Sequence, residues 1–156
     1  MGRHLLDELV HLGVGHQRMR TRQVEAFEGL ACRDVLQTER HRGIGVVGFC
    51  WGGTLAFLAN TRLGLPAVSY YGARTTPYLD EQLDAPMMFH FGNHDPSIPA
   101  EAIDLHRSKQ PTAEIHVYPA GHGFNCDQRA DYDEASATLA LERTLSFFRR
   151  TLRPVY

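Results

Sequence analysis

From residue 43 onward, short apolar runs alternate with longer segments of helical periodicity. The apolar runs show no polar alternation, which is typical of strands covered on both faces. The predicted strands are residues 43–49, 66–71, 86–91 and 113–118. The predicted helices are residues 52–63, 99–109 and a last one from about residue 133, with a loop and a short helix at 75–84. This order favours a parallel sheet covered by helices on both faces, in a three-layer α/β/α sandwich.

The last predicted helix is amphipathic. Its apolar positions recur at the spacing of one helical face, so that face is expected to pack on the sheet. The expected buried stripe is Ala137, Leu141, Leu145, Phe148 and Leu152.

Alternating helices and strands are predicted from Val24 onward, and the residues before it are hard to place. A helix is predicted at residues 22–38 from one apolar face. That face is formed by Val24, Phe27, Ala31 and Val35. Leu5, Leu9 and Leu12 suggest a short helix ended by Gly13, and no strand is predicted among residues 1–22. We expect one domain over residues 1–156, since no repeat or linker interrupts it.

Composition narrows the class of protein. Of the 156 residues, 43% are hydrophobic and 22% charged, with a net charge of −2, so a strong basic excess typical of nucleic-acid binders is absent. No apolar run reaches the ~20 residues of a membrane-spanning helix. The N-terminal residues do not resemble a secretory signal, because acidic side chains interrupt the apolar stretch. Three cysteines without such a signal favour reduced thiols in the cytoplasm.

Candidate chemistry begins at residues 48–53, Gly-Phe-Cys-Trp-Gly-Gly, between a predicted strand and a predicted helix. This is the setting of a nucleophile elbow, in which flanking glycines let a strained turn expose the nucleophile. Cys50 would lie at a helix N-terminus, which favours thiolate, and the Trp51 N–H would face a developing oxyanion. The alternative is that Cys50 is a small buried apolar residue, the usual fate of a free cysteine.

Two further candidates follow the next strands in the order nucleophile, acid, base. Asp95 lies just after the third predicted strand and His122 just after the fourth. The carboxyl ends of parallel strands share one edge of the sheet, so both should lie near Cys50. Asp95 would orient His122, and His122 would take the proton of Cys50. Alternatively, Asp95 caps a turn before Pro96, and His122 is a surface loop residue.

Other polar and aromatic residues have weaker functional interpretations. His90, His94 and Cys126 form no compact zinc-ligand pattern, so neither metal nor cofactor is predicted. His90 is expected to be a strand residue with a satisfied ring. Tyr71 and Phe124 could line a pocket, although aromatic residues at such places are usually core. Cys126 is expected to be structural and Cys32 to pack in a helix.

Four segments resemble the dienelactone hydrolase (carboxymethylenebutenolidase) family. They are residues 48–53, Phe-Gly-x-x-Asp-x-x-Ile-Pro at 91–99, Tyr-Pro-x-Gly-His-Gly-Phe-Asn at 118–125, and Arg-x-x-Tyr-Asp at 129–133. The resemblance covers about residues 24–148. It implies an α/β-hydrolase fold and hydrolysis of a small-molecule ester or lactone by a Cys50–His122–Asp95 triad, with Trp51 as oxyanion donor. The arginine nearest the place where well-known members bind a substrate carboxylate is Arg129.

The chain departs from the family before the elbow. Family members have several strands there, supplying a second oxyanion N–H, a glutamate and an arginine, whereas this chain has only about 45 residues. The elbow strand is therefore expected to form the edge of the sheet, with unpaired backbone groups. This predicts a homodimer, a partner chain covering the edge, or poor solubility. Two alternatives to the hydrolase remain: a weak or inactive remnant acting as an interaction module, and a thioesterase or acyltransferase with the same triad.

Overall fold

The structure, a computed structural model, describes residues 9–12 and 43–152. Its five strands form one sheet in chain order, and every neighbouring pair is parallel. The strands are β1 (Leu9–Leu12), β2 (Gly45–Phe49), β3 (Ala67–Tyr70), β4 (Met87–Gly92) and β5 (Glu114–Tyr118). The helices are α1 (Trp51–Leu63), α2 (Ala100–Lys109) and α3 (Glu134–Thr151), and Thr76–Tyr78 form a short 3₁₀ turn. The predicted parallel α/β fold is confirmed.

Side-chain alternation along the strands divides the core into two layers. On one face, the Phe57 ring of α1 and the His106 ring of α2 pack against Phe89 of β4. On the other face, the next residue along β4, His90, hydrogen bonds to Thr144 of α3. The described helices thus cover both faces of the sheet, α1 and α2 on one side and α3 on the other, as the sequence predicts.

The elbow strand β2 is not at the edge of the sheet, which corrects the prediction. Residues Leu9–Leu12, expected to be helical, instead pair as β1 with β2, in the register Leu9↔Gly45 to Leu12↔Gly48. Four residues are too few to reveal a period, and tertiary pairing decides the conformation of such a short apolar run. The helix predicted at 22–38 and Cys32 lie outside the described residues.

The buried face of α3 also differs from the prediction. Leu141, expected in the buried stripe, is 47% exposed. The face turned to the sheet instead runs through Ala140, Thr144 and Phe147, all buried. The reason is that Thr144 is bonded to polar groups of the sheet, which rotates the helix so that Leu141 points to solvent.

No helix in the described part of the chain has the length and apolar character to cross a membrane.

Candidate active site

Cys50 occupies a sharp turn between β2 and α1. Its backbone is at φ 56° and ψ −118°, a left-handed conformation that is costly for any residue with a Cβ. The Cys50 N–H donates to the Tyr70 carbonyl oxygen at 2.9 Å, and the first helical bond runs from Gly53 N–H to the Cys50 carbonyl oxygen at 3.0 Å. The turn is therefore fixed from both sides, by the neighbouring strand and by the helix that follows it.

The glycines on either side of Cys50 are required because the neighbouring backbone leaves no room for a Cβ. A Cβ at Gly48 would lie 1.8 Å from the Gly52 carbonyl oxygen, and a Cβ at Gly53 would lie 2.8 Å from the Tyr70 carbonyl oxygen. Both neighbours are backbone atoms that cannot rotate away. The Gly-x-Cys-x-Gly-Gly pattern is thus what allows β2 and α1 to meet this closely, and it holds the sulfur at the N-terminus of α1.

His122 contacts the sulfur of Cys50. Its Nε2 lies 3.1 Å from Cys50 Sγ, although 72 residues separate them in the chain. The loop after β5 that carries His122 is itself held to the loop after β4, because the Ala120 carbonyl oxygen accepts the His94 N–H at 3.0 Å.

Asp95 completes the hydrogen-bonded row. The His122 Nδ1–H donates to Asp95 Oδ2 at 2.6 Å, and the Ser97 N–H donates to Asp95 Oδ1 at 2.8 Å. The Asp95 side chain has no exposed surface. Both carboxylate oxygens thus have a donor, as a buried charge requires. The structure brings together the three side chains that the sequence singled out.

The surroundings favour a thiolate at Cys50. Its pKa is held below the ordinary value, chiefly by the hydrogen bond with His122. Partial burial opposes this, while the charge of His122, the backbone N–H of Trp51 and the charge of Arg129 add to it. The predicted oxyanion donor Trp51 thus directs its N–H toward the sulfur at the helix N-terminus, where free amides favour negative charge.

The same contacts favour a charged His122. Hydrogen bonding to Asp95, and secondly to Cys50, raises the pKa of His122 to about 9. Both shifts favour the form in which the sulfur is a thiolate and the ring an imidazolium, with Nε2–H donating to the sulfur. This pairing supplies both an activated nucleophile and a proton donor.

The predicted substrate-binding residues surround His122. The Tyr71 ring lies 5.3 Å from the His122 ring and 5.4 Å from the Phe124 ring, with Phe124 completely buried behind it. Tyr71 has an unusual φ of 42°, and burial raises the pKa of its phenol. A Cβ at Gly123 would lie 2.8 Å from Arg129 Cδ, so the exposed Arg129 passes over the residue next to His122.

A second arginine, Arg74, lies over the ring of Trp51, the residue after Cys50. The Arg74 guanidinium is 5.9 Å from the centre of the Trp51 ring. Among the described residues, no carboxylate forms an ion pair with Arg74 or Arg129. The sequence analysis did not identify Arg74, because nothing in the loop after β3 distinguishes it from an ordinary surface arginine.

The remaining candidates lie apart from this row or serve the fold. His90 has both ring nitrogens hydrogen-bonded, as expected. His94 is exposed and Cys126 is partly buried. Within residues 9–12 and 43–152, no group of three or more His, Cys, Asp or Glu side chains is arranged to hold a metal ion.

Known proteins of one family are similar to this chain. The model of the dienelactone hydrolase family matches residues 7–152. A candidate carboxymethylenebutenolidase of Yersinia pestis is 38% identical over 130 residues, covering 70% of this chain and 49% of that protein. The carboxymethylenebutenolidase of Pseudomonas putida is 35% identical over 111 residues, covering 67% of this chain and 47% of that protein.

Solved structures show the same fold. A candidate dienelactone hydrolase from Klebsiella pneumoniae superimposes with a TM-score of 0.71 and 31% identity, over 81% of this chain and 62% of that one. An esterase of Pyrococcus furiosus, 14% identical with a TM-score of 0.59 over 88% of this chain and 67% of that one, shares the fold. The chain spans about half the length of the curated relatives it matches. With a family match over almost all of its residues, the chain belongs to the dienelactone hydrolase family.

Proposed function

We propose that this protein hydrolyses a carboxylic ester or lactone through a Cys50–His122–Asp95 triad. The observation that carries the proposal is the continuous row from sulfur to imidazole to carboxylate, with separations of 3.1 and 2.6 Å. Membership of the dienelactone hydrolase family supports the same class of reaction. A free thiol is essential to it, so we also propose that the protein works in a reducing compartment such as the cytoplasm.

The reaction would proceed in two halves. The Cys50 thiolate attacks the carbonyl carbon of the substrate, and the electron pair moves to the carbonyl oxygen, which the Trp51 N–H stabilises. The tetrahedral intermediate collapses to a thioester on Cys50, and His122 gives its proton to the departing alkoxide. His122 then takes a proton from water, which attacks the thioester and releases the carboxylic acid. The free thiolate and protonated His122 are thereby restored, with Asp95 stabilising the imidazolium.

We further propose that the substrate is an anion. The charge of Arg129 acts on the sulfur of Cys50, Arg74 lies over the ring of the neighbouring Trp51, and no described carboxylate forms an ion pair with either one. A substrate carboxylate could be held by Arg129, whose charge already acts on the sulfur. Tyr71, supported from behind by Phe124, would form the wall of the site next to His122.

Turnover of an activated ester such as p-nitrophenyl acetate tests the proposal. Cys50→Ala should reduce the rate to that of the uncatalysed reaction, because nucleophile removal in a triad costs ~10⁴-fold or more. Cys126→Ala, which removes the other described thiol, should keep the activity. An unchanged rate in Cys50→Ala would exclude the assignment.

The lifetime of the acyl group on Cys50 distinguishes an active hydrolase from an inactive remnant. Mass spectrometry of the full chain after exposure to the ester should show transient acylation of Cys50 that decays as product accumulates. Acylation that persists without product would instead favour the remnant, because a missing oxyanion donor lowers turnover ~10²–10³-fold.

A further inference from the structure

A chain of buried hydrogen bonds lies on the α3 side of the sheet, one layer behind the triad. We call it the α3 network; it consists of Tyr70 of β3, His90 of β4, Tyr118 of β5 and Arg143 and Thr144 of α3. Tyr70 Oη lies 2.7 Å and His90 Nε2 3.0 Å from Thr144 Oγ1. Tyr118 Oη lies 2.8 Å from His90 Nδ1 and 3.1 Å from Arg143 Nη1. Three successive strands are thus joined to one another and to the helix through side chains.

The direction of these bonds follows from their donors. Arg143 can only donate, so Tyr118 Oη accepts from it, which leaves the Tyr118 hydroxyl proton available for a bond to His90 Nδ1 in the tautomer protonated on Nε2. His90 then carries its proton on Nε2 and donates to Thr144. Burial lowers the pKa of His90 well below its ordinary value, which keeps the ring neutral, as this arrangement needs. Every polar atom of the network except the guanidinium is thereby satisfied by another member.

The same three strand residues hold the active-site loops through their backbone carbonyls. The Tyr70 carbonyl oxygen accepts the Cys50 N–H at 2.9 Å. The His90 carbonyl oxygen accepts the Tyr71 N–H at 2.8 Å, and the Tyr118 carbonyl oxygen accepts the Asn93 N–H at 2.8 Å. The three strand residues of the network are therefore each one backbone hydrogen bond away from the active site. These bonds reach the nucleophile, the aromatic residue beside His122 and the loop that carries Asp95.

Filling a core with polar side chains carries a free-energy cost of desolvation. His90 is completely buried, and a buried imidazole or hydroxyl costs free energy unless it is hydrogen-bonded. Apolar side chains of similar size would pack there without that cost, but they would tolerate small shifts between strands. Directional bonds permit one arrangement only, and active-site geometry must be held to within about 0.5 Å.

We propose that the α3 network is a positioning device for the triad, and that Thr144 and His90 are its positioning residues. The Thr144 hydroxyl is hydrogen-bonded to Tyr70 of β3 and to His90 of β4. The His90 ring is in turn hydrogen-bonded to Tyr118 of β5, so the carboxyl ends of the three strands are held in fixed positions relative to one another. The proposal rests on the proposed function, since it concerns the same site. It also assigns a purpose to the rotation of α3 that turns Thr144 rather than Leu141 toward the sheet.

The decisive variant is Thr144→Val, which keeps the shape of the side chain and removes the hydroxyl. Its matched control is Thr151→Val on the same helix, where the hydroxyl donates only to the Phe147 carbonyl oxygen. In Thr144→Val we expect kcat for the activated ester to fall ~10- to 100-fold with KM almost unchanged, as expected for a misplaced triad. Thr151→Val should behave as the unaltered protein, and Thr144→Ser should recover most of kcat.

A second readout does not depend on turnover. The rate at which iodoacetamide alkylates Cys50 is followed against pH, after Cys32→Ser and Cys126→Ser have removed the other two thiols of the sequence. Thr144→Val should move the apparent pKa of Cys50 upward, because His122 no longer lies at the right distance. A merely structural threonine would lower the unfolding temperature and leave this pH profile in place, which would overturn the inference.

The two proposals fail in different ways. If Cys50 of the unaltered chain shows no lowered pKa, the proposed function fails first. If that lowered pKa is present and folded Thr144→Val retains both it and kcat, only the positioning inference fails. Should Thr144→Val not fold, Tyr70→Phe removes the bond at the other end of the network with the ring in place. It should give the same changes to a smaller degree, and an unaltered profile in that variant would also refute the inference.

Discussion

The hydrogen bond between Cys50 and His122 favours negative charge on the sulfur and positive charge on the imidazole ring. The hydrogen bond with His122 is the largest influence lowering the pKa of the Cys50 thiol, and Asp95 is the largest influence raising the pKa of His122 to about 9. Both shifts favour the form of the pair in which the sulfur is a thiolate and the ring an imidazolium. The thiolate therefore depends on Asp95 through His122, although the carboxylate does not touch the sulfur.

Replacing Asp95 by a neutral isostere tests this dependence. In Asp95→Asn the amide oxygen can still accept the Nδ1–H of His122, but the negative charge is gone, so the pKa of His122 should fall. The imidazolium that stabilises the thiolate is then lost at neutral pH, and the thiol pKa rises. We expect the rate of Cys50 alkylation by iodoacetamide at pH 7 to fall about tenfold, the equivalent of one pKa unit. The rate is measured from pH 5 to 10.

The sign of the pH dependence distinguishes this mechanism from simple loss of structure. In the unaltered protein, alkylation should slow as the pH falls through the lowered thiol pKa; in Asp95→Asn the same decline should begin at higher pH. Asp104→Asn removes an exposed carboxylate of α2 that pairs only with Arg107, and its profile should match the unaltered one. A superimposable profile for Asp95→Asn would show that the carboxylate does not control the thiol.

At the scale of elements, local pattern located the turn between β2 and α1 because the determinants of that turn are local. The glycines around Cys50 and the apolar strand before it lie within ten residues of the sequence, and β2 and α1 begin and end within two residues of their predicted bounds. The position of Asp95 and His122 after β4 and β5 followed from the rule that parallel strands end at one edge.

What the sequence could not predict depends on contacts between distant residues. β1 is a strand because β2 offers it a backbone partner, and no four-residue pattern contains that information. The buried face of α3 was misjudged at Leu141, because hydrophobicity alone would not turn a threonine inward. The partners that draw Thr144 to the sheet, Tyr70 and His90, are 74 and 54 residues away. A histidine in an otherwise apolar strand was the one signal that such partners exist.

Gly48, in β2 just before the elbow, and Gly64, at the C-terminal end of α1, offer a test of how the elbow is built. Gly48→Ala would place a Cβ 1.8 Å from the Gly52 carbonyl oxygen, so β2 and α1 must move apart. We expect the free energy of unfolding to fall by about 1–3 kcal/mol, as for other overpacked sites. We also expect Cys50 to lose its lowered pKa. Chemical denaturation and the alkylation profile measure the two effects.

Gly64→Ala is the matched control at the far end of the helix. Gly64 is the C-cap of α1 at φ 65°, a conformation in which a side chain costs about 1–2 kcal/mol. A Cβ added there would lie 3.0 Å from Oδ2 of Asp84, a side chain that can move away. This variant should be destabilised to a similar degree with its thiol profile intact. If Gly48→Ala leaves the thiol as reactive as Gly64→Ala does, close packing at the elbow is not what activates Cys50.

At the scale of the whole molecule, the strand that carries the nucleophile depends on β1. Among the described strands, β1 is the outermost on that side of the sheet, and it pairs with β2 over four residues. An apolar strand with an uncovered edge is prone to pair with another chain. Whether the protein forms dimers or binds a partner chain stays a prediction, but the edge in question is that of β1 rather than that of the elbow strand.

Two truncations separate the contribution of β1 from that of the residues before it. A chain beginning at residue 13 lacks β1, whereas a chain beginning at residue 9 retains it. We expect the shorter chain to unfold at a lower temperature, to self-associate in sedimentation velocity and to alkylate Cys50 more slowly at pH 7. Loss of β1 frees the backbone of β2 along the four residues that lead into Cys50, so the elbow loses a constraint just where its strained turn begins.

The chain beginning at residue 9 is the control, because it lacks the first eight residues but retains β1. If it behaves like the full chain while the shorter one associates, the backbone pairing of β1 protects the elbow strand. Equal behaviour of both truncations, with a monomeric and reactive shorter chain, would mean that β2 is held by α1 and β3 alone. Added urea discriminates further, because self-association through a freed strand edge should grow with protein concentration at constant denaturant, whereas simple destabilisation should not.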